Sequence, residues 1–172
     1  NSLGKTLLIL SEVVLSIIGV FLGTGLFKMD LSIVMSGIGI VALAGIVVRN
    51  GILLVEFTDL MLAQGMSIKE ALVEAGHVRM TPVLLTATAT ILGLIPIGIG
   101  MNVDFVSLFT ELNPHLYFGG DNAAFWGPLC WAMIFGLAFA TFLTLLLVPC
   151  MYLIMWRLQP MKKFYGGKWI SF

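Results

Sequence analysis

The sequence predicts an all-α integral membrane fold of four transmembrane helices plus a short cytoplasmic surface helix, and three observations carry that expectation. Hydrophobic residues make up 59% of the 172-residue chain and charged residues only 10%, against about 25% charged in a soluble domain. The apolar residues gather in four long stretches, each reaching the roughly 20 residues that a helix needs to cross a bilayer. A barrel strand needs only about 10 residues in apolar–polar alternation, so runs of this length select helices.

The first span covers about residues 6–27 and is interrupted only by Glu12. The second, about 31–57, contains Arg49; the third covers about 82–101 and the fourth about 125–156. The second and fourth exceed the minimum, which predicts tilt or extension beyond the bilayer. Lys28-Met29-Asp30 forms a very short turn between spans one and two. Between spans two and three, Ser67-Ile68-Lys69-Glu70 has capping-box spacing: the Ser side chain caps the helix while Glu reaches back. Ile68, Ala71, Leu72 and Ala75 then recur at i, i+3, i+4 and i+7, and Lys69, Glu70, Glu74 and His77 fall mainly elsewhere. This predicts an amphipathic helix over about 67–79, lying at the membrane surface. An outer loop over about 102–124 and a tail over 157–172 complete the chain.

Basic residues orient the bundle. With four spans, Lys5, Lys69, Arg79, Arg157, Lys162, Lys163 and Lys168 fall on one side, and Lys28 stands on the other with Asp30, Asp104, Glu111 and Asp121. The positive-inside rule counts Lys and Arg, so both termini are expected in the cytoplasm. Close helix contacts are expected at Gly19 and Gly23, and along Ala132, Gly136, Ala140 and Thr144, because small residues four apart let backbones approach in lipid.

Other chemistries find no support. Net charge is zero, so no nucleic-acid partner is indicated. Cys130 and Cys150 share one predicted helix, roughly 30 Å apart, and cannot pair within the chain. His77 and His115 are isolated, and neither a Gly-rich phosphate loop nor a hydrolase motif occurs, so no enzyme activity and no cofactor are expected. The chain starts at Asn1 without a recognisable signal peptide, which suggests part of a longer protein.

Arg49 is the sharpest signal. A guanidinium stays charged in a protein, and a charge inside the membrane marks a functional site by default. Snorkelling is the plain alternative, but an interfacial Arg49 would push Leu53, Leu54 and Val55 into water. No acid in the chain is an obvious partner: Glu56 lies about 10 Å along the axis, and Glu12 meets Arg49 only if the helices pack suitably. In span three, Thr86 and Thr90 share a face, with the simple reading that they bond their own helix's carbonyls. Pro82 suits a first helical turn, and Pro96 a kink.

Several ordered motifs then resemble one family. These are Arg49-Asn50-Gly51-Ile52-Leu53-Leu54-Val55-Glu56-Phe57; Arg79-Met80-Thr81-Pro82-Val83-Leu84-Leu85-Thr86; Ile91-Leu92-Gly93-Leu94-Ile95-Pro96; and Phe139-Ala140-Thr141 with Val148-Pro149-Cys150-Met151-Tyr152. They resemble the resistance-nodulation-division (RND) exporters, in particular the hydrophobe and drug efflux branch. The resemblance covers nearly the whole chain and implies helices nine to twelve of a twelve-helix bundle with two large periplasmic insertions. It further implies a homotrimer in the bacterial inner membrane, working with a periplasmic adaptor and an outer-membrane channel, and driven by protons. In the family an acidic pair on the fourth helix works with a basic residue on the tenth and with Arg and Thr near and within the eleventh. The resemblance carries these proton-relay roles to Arg49, with Asn50 beside it, to Arg79 and to Thr86. Arg79 fits either a proton gate or the positive-inside rule.

Two departures stand out. The family's basic residue is often Lys; Arg49 keeps the partnership but cannot itself carry the proton. The outer loop, with Asn113-Pro114-His115-Leu116-Tyr117-Phe118-Gly119-Gly120-Asp121-Asn122, looks longer than the loop typical of the best-known drug pumps. The alternatives are an RND relative that exports metal ions or assists lipid or protein movement, and a non-transporting membrane scaffold in which Arg49 clamps helices.

Overall fold

The computed structural model describes residues 2–158, 164–165 and 168–169; the rest of the expected tail, Lys162 and Lys163 included, lies outside the described residues. The elements are α1 (Ser2–Leu26), α2 (Ile33–Ala63), α3 (Ile68–Gly98), β1 (Met101–Val103), α4 (Phe105–Glu111), β2 (Leu116–Phe118), α5 (Asp121–Leu158), β3 (Phe164–Tyr165) and β4 (Lys168–Trp169). Among the described residues, four helices (α1, α2, α3 and α5) are long and apolar enough to cross a membrane. The short strands β3 and β4 pair antiparallel.

Several helix ends have a local cause. Lys28 adopts φ +50 after α1. Met29 N–H reaches the Thr24 carbonyl at 3.0 Å and Lys28 N–H the Gly25 carbonyl at 3.3 Å, the paired pattern that stops a helix with a left-handed residue. Gly65 (φ +90) ends α2 in the same way, with Met66 N–H on Met61 and Gly65 N–H on Leu62. Ser32 caps α2, and Ser67 and Glu70 close the expected capping box on α3.

One boundary differs from the sequence reading. The surface helix expected over about 67–79 and the span expected to start at 82 are one helix, α3, with Pro82 and Pro96 inside it. The reason is a single inward stripe running straight through the proline: Ala71, Ala75, Val83 and Ala87 are buried and Arg79 half-buried, all four residues apart. Packing along that stripe outweighs the lost hydrogen bond at Pro82, a loss that membrane helices tolerate. At about 1.5 Å per residue, such a 31-residue helix measures about 46 Å, longer than a hydrocarbon core of about 30 Å.

Helix α5 is the hub, packing against α1, α2 and α3. Its small residues Ala132, Gly136, Ala140 and Thr144 are all buried. A Cβ on Gly136 would lie 2.2 Å from Leu43 Cδ2 and 2.6 Å from Val20 Cγ2, so α1 and α2 both close onto α5 there. Gly19 and Gly23 make room for Phe139 and Phe135 of α5. The expected small-residue contacts are therefore real ones. Two core clusters result, one around Leu8, Leu54, Val55, Leu72, Val148 and Tyr152, the other around Val20, Leu43, Val47, Leu137 and Ala140.

The helices alternate in direction. Lys5 of α1 pairs with Asp59 of α2, and Tyr152 of α5 donates to the same carboxylate, so these three ends lie together. At the opposite end, Trp131 Nε1 donates to the Gly98 carbonyl at 3.0 Å and its ring stacks near Phe135, which stacks on Phe27. The loop after α3 is ordered rather than irregular. Strands β1 and β2 pair antiparallel, with Met101 opposite Phe118. Asn102 Nδ2 clasps the carbonyls of Gly100 and Gly119. Asp104 caps α4; the Ser107 hydroxyl and the Ser107 and Val106 N–H groups hold its carboxyl below the usual carboxylate range.

Candidate functional site

Polar groups within the spans fall into two arrangements, one open and one closed. The open one includes Arg49. Helix α2 carries an exposed line of Ala42, Gly45, Arg49, Ile52, Glu56 and Leu60, spaced by three or four residues, while Gly39, Leu43, Val47, Asn50, Gly51, Leu54 and Thr58 are buried against the bundle. Arg49 therefore points away from α1 and α5. Among the described residues it makes no ion pair, so neither Glu56 nor Glu12 is its partner. Asn50, its neighbour, is turned inward and only 9% exposed.

Thr86 is also exposed, and its hydroxyl donates to the Pro82 carbonyl of its own helix; Thr90 donates to the Thr86 carbonyl at 2.8 Å. Both hydroxyls thus have the simple self-bonding role, on a helix side left uncovered. Arg79 is different. Its guanidinium lies over the Phe57 ring, 4.7 Å from the centroid, and Nε is buried without a hydrogen-bond partner. The arginine bridges α3 to the far end of α2, as a cation over an aromatic face does. The four expected relay residues do not meet in one cluster: Arg49 and Thr86 are open, Asn50 is packed and Arg79 is engaged with Phe57.

The closed arrangement is one that sequence reasoning missed. Glu12 is 0% exposed. The Thr144 hydroxyl of α5 contacts its Oε1, and its Oε2 fills the space beside Gly51, where a Cβ would lie 2.6 Å away. Oε2 has no hydrogen-bond partner. Ser16 and Thr24 continue the same buried side of α1, each bonded to its own backbone. The available signal was a lone acid in an apolar run; which residue faced it depended on helix packing. Similarly Asp59, near the end of α2, ties three helix ends together through Lys5 and Tyr152. Cys130 is buried, Cys150 exposed, and both are unpaired as expected.

A bundle of four long apolar helices, one of which buries an acid and another of which leaves a permanent cation uncovered, is a multi-pass membrane protein. The AcrB/AcrD/AcrF family model matches residues 1–156, and the chain belongs to this family of RND transporters. It is 37% identical over 125 residues to the swarming motility protein SwrC of Bacillus subtilis, a match covering 73% of this chain and 10% of that protein. It is 31% identical over 154 residues to the multidrug resistance protein MdtC of Erwinia tasmaniensis, covering 89% of this chain and 13% of that protein. With the nickel-cobalt-cadmium resistance protein NccA of Alcaligenes xylosoxydans xylosoxydans it shares 29% over 163 residues, 92% of this chain and 14% of that protein. The chain spans about a tenth to a seventh of the length of these relatives.

Proposed function

We propose that this chain is the C-terminal membrane portion, helices nine to twelve, of a proton-driven RND exporter of hydrophobic compounds, and that it supplies the basic and hydroxyl part of the proton relay. The observation that carries this reading is the outward position of Arg49 on an uncovered stripe of α2. A charge fixed there in lipid requires an acidic partner or a polar cavity, and an acidic pair on another helix of the whole protein meets that need. Protonation of the pair would free Arg49 and bias a rearrangement of the helices, the ordinary way in which a local charge change drives a two-state element. Thr86, on an uncovered part of α3, adds a hydroxyl to that path. Arg79, seated on Phe57, holds the end of α2 against α3.

The distribution of cations supports both termini of this portion being cytoplasmic in the inner membrane. Lys5, Lys69, Arg79 and Arg157 lie toward the end marked by the Lys5–Asp59 pair, and Lys28 lies at the other. The trimeric assembly with adaptor and outer channel belongs to the same reading. For cargo, a relative named for multidrug resistance is 31% identical and one named for nickel, cobalt and cadmium resistance 29%; the resemblance of the motifs to the hydrophobe and drug efflux branch favours hydrophobic compounds.

The test is replacement of Arg49 by Ala and by Lys in the full-length transporter. With assembly intact, Arg49→Ala is expected to lower proton-dependent export of a hydrophobic dye by about tenfold or more, the scale of ordinary coupling energies, and Arg49→Lys to retain part of it. Unchanged export by the Ala variant overturns the relay. Collapse of assembly in both variants, with no separate coupling defect, favours the clamp instead. Export of nickel or cadmium but not of dye would move the cargo to metal ions.

A further inference from the structure

Glu12 belongs neither to the proposed relay nor to simple apolar packing. It is enclosed by α1, by the Gly51 turn of α2 and by Thr144 of α5. The hydrogen bonding at Thr144 is over-subscribed: its Oγ1 lies within reach of both Glu12 Oε1 and the Ala140 carbonyl, the latter at 2.8 Å. A hydroxyl owns a single proton. Threonines in helices donate that proton to the carbonyl four residues back, as Thr24, Thr58 and Thr141 do here at 2.8, 2.9 and 2.7 Å. If Thr144 does likewise, its contact with Glu12 is attractive only when Glu12 is the donor. An ionised Glu12 would turn one acceptor toward another, or strip Thr144 from its carbonyl. It would also leave a charged Oε2 with no partner beside Gly51, a costly burial.

We propose that Glu12 is a buried proton-binding site, in which a proton taken from water sits on the oxygen facing Thr144 and completes a directed chain from Glu12 to Thr144 to the Ala140 carbonyl. The only bond formed is O–H: a hydronium gives up its proton, the carboxylate becomes a carboxylic acid, and the reverse step returns the proton to water. Oε2 is then a neutral carbonyl oxygen, which tolerates lacking a partner far better than a charge does. Other charges keep their distance. Lys5 of α1, Asp59 of α2 and Tyr152 of α5 engage one another seven or eight residues away, about 10–12 Å along their helices. Glu56 is exposed, Arg79 of α3 is seated on Phe57, and Arg49 lies about 200° around α2 from Gly51. The turn of α2 that shows a fixed cation on its outer side thus rests on a neutral acid on its inner side. The inference does not depend on the relay.

The test is infrared spectroscopy of the full-length transporter in lipid at neutral pH. Glu12→Gln is expected to remove a carbonyl band of a protonated carboxylic acid that the unsubstituted protein shows. Thr144→Val is expected to keep that band but shift it, because the acid loses its acceptor. Arg49→Ala, which probes the relay, is expected to leave it in place, so the two readings fail separately. A spectrum in which Glu12→Gln removes only carboxylate bands overturns the proposal. Should Glu12→Gln fail to accumulate, the Thr144→Val shift decides: a shifted acid band supports the site, and an unshifted spectrum overturns it.

Discussion

Helix α2 has two sides that obey different rules. Toward α1 and α5 it is shaped by contact: Gly39, Leu43 and Gly51 meet neighbours closely enough that a methyl group matters, and Val47 is buried. On the other side Ala42, Gly45, Arg49, Ile52 and Glu56 are uncovered, and the residue that stands out does so by charge. The inner side fixes how the helices sit together, whereas the outer side carries a permanent charge that no described residue pairs. Glu12 and Arg49 condense the contrast, for both are ionisable groups within spans. One is enclosed with a hydroxyl and a glycine; the other is open and has no ion-pair partner among the described residues.

The largest effect is expected where the inner side of α2 meets α5. Gly136→Ala should force Leu43 and Val20 aside and lower stability by about 1–3 kcal/mol, the usual cost of overpacking. Denaturation of the full-length protein measures this, and export per folded molecule should stay unchanged. An equal stability with altered export would show that packing and coupling are not divided between the two sides. A smaller effect is expected where α3 grips the end of α2. Phe57→Leu removes the aromatic face under Arg79 and should lose about 0.5–1 kcal/mol; the same loss in an Arg79→Gln background would show that the contact is not the source.

The smallest effect belongs to the loop, which serves as a control for both sides. Asp104 has its carboxyl held below the usual range by its cap on α4. A lowered folded value means that the cap's contribution is fully present above the ordinary carboxylate value of about 3.9 and is lost as pH falls through the folded value. Amide exchange in α4 should therefore be flat from neutral pH down to about pH 4 after correction for intrinsic rates, and should rise below that. Asp104→Asn, which keeps a capping oxygen, should weaken that pH response.

Spans, turns and caps were legible because they rest on local patterns. Glu70 three residues after Ser67 closes a capping box wherever the chain goes, and Lys28-Met29-Asp30 can only be a turn between two apolar runs. The small residues of α5 were legible as a stripe for the same reason. The join at Pro82 was not. The local rule puts proline in a first turn, but the stripe from Ala71 through Arg79 to Ala87 packs as one unit and carries the helix through. Nor was the partner of Glu12 legible, since Thr144 lies 132 residues away and looked like one more small residue.

By itself, then, the sequence determined that this chain crosses a membrane as four helices, where those helices turn, and that Arg49 is a permanent charge among apolar residues. Length, hydropathy and a guanidinium's fixed proton are properties of residues and short windows, and they do not wait for packing. Only the tertiary structure decided that Arg49 turns outward, that Arg79 rests on Phe57, and that Glu12 is shut between Thr144 and Gly51. Those outcomes depend on the rotation of each helix about its axis. Rotation is set by which small residues on α5 let α1 and α2 approach, and that complementarity between distant segments cannot be read from any one of them.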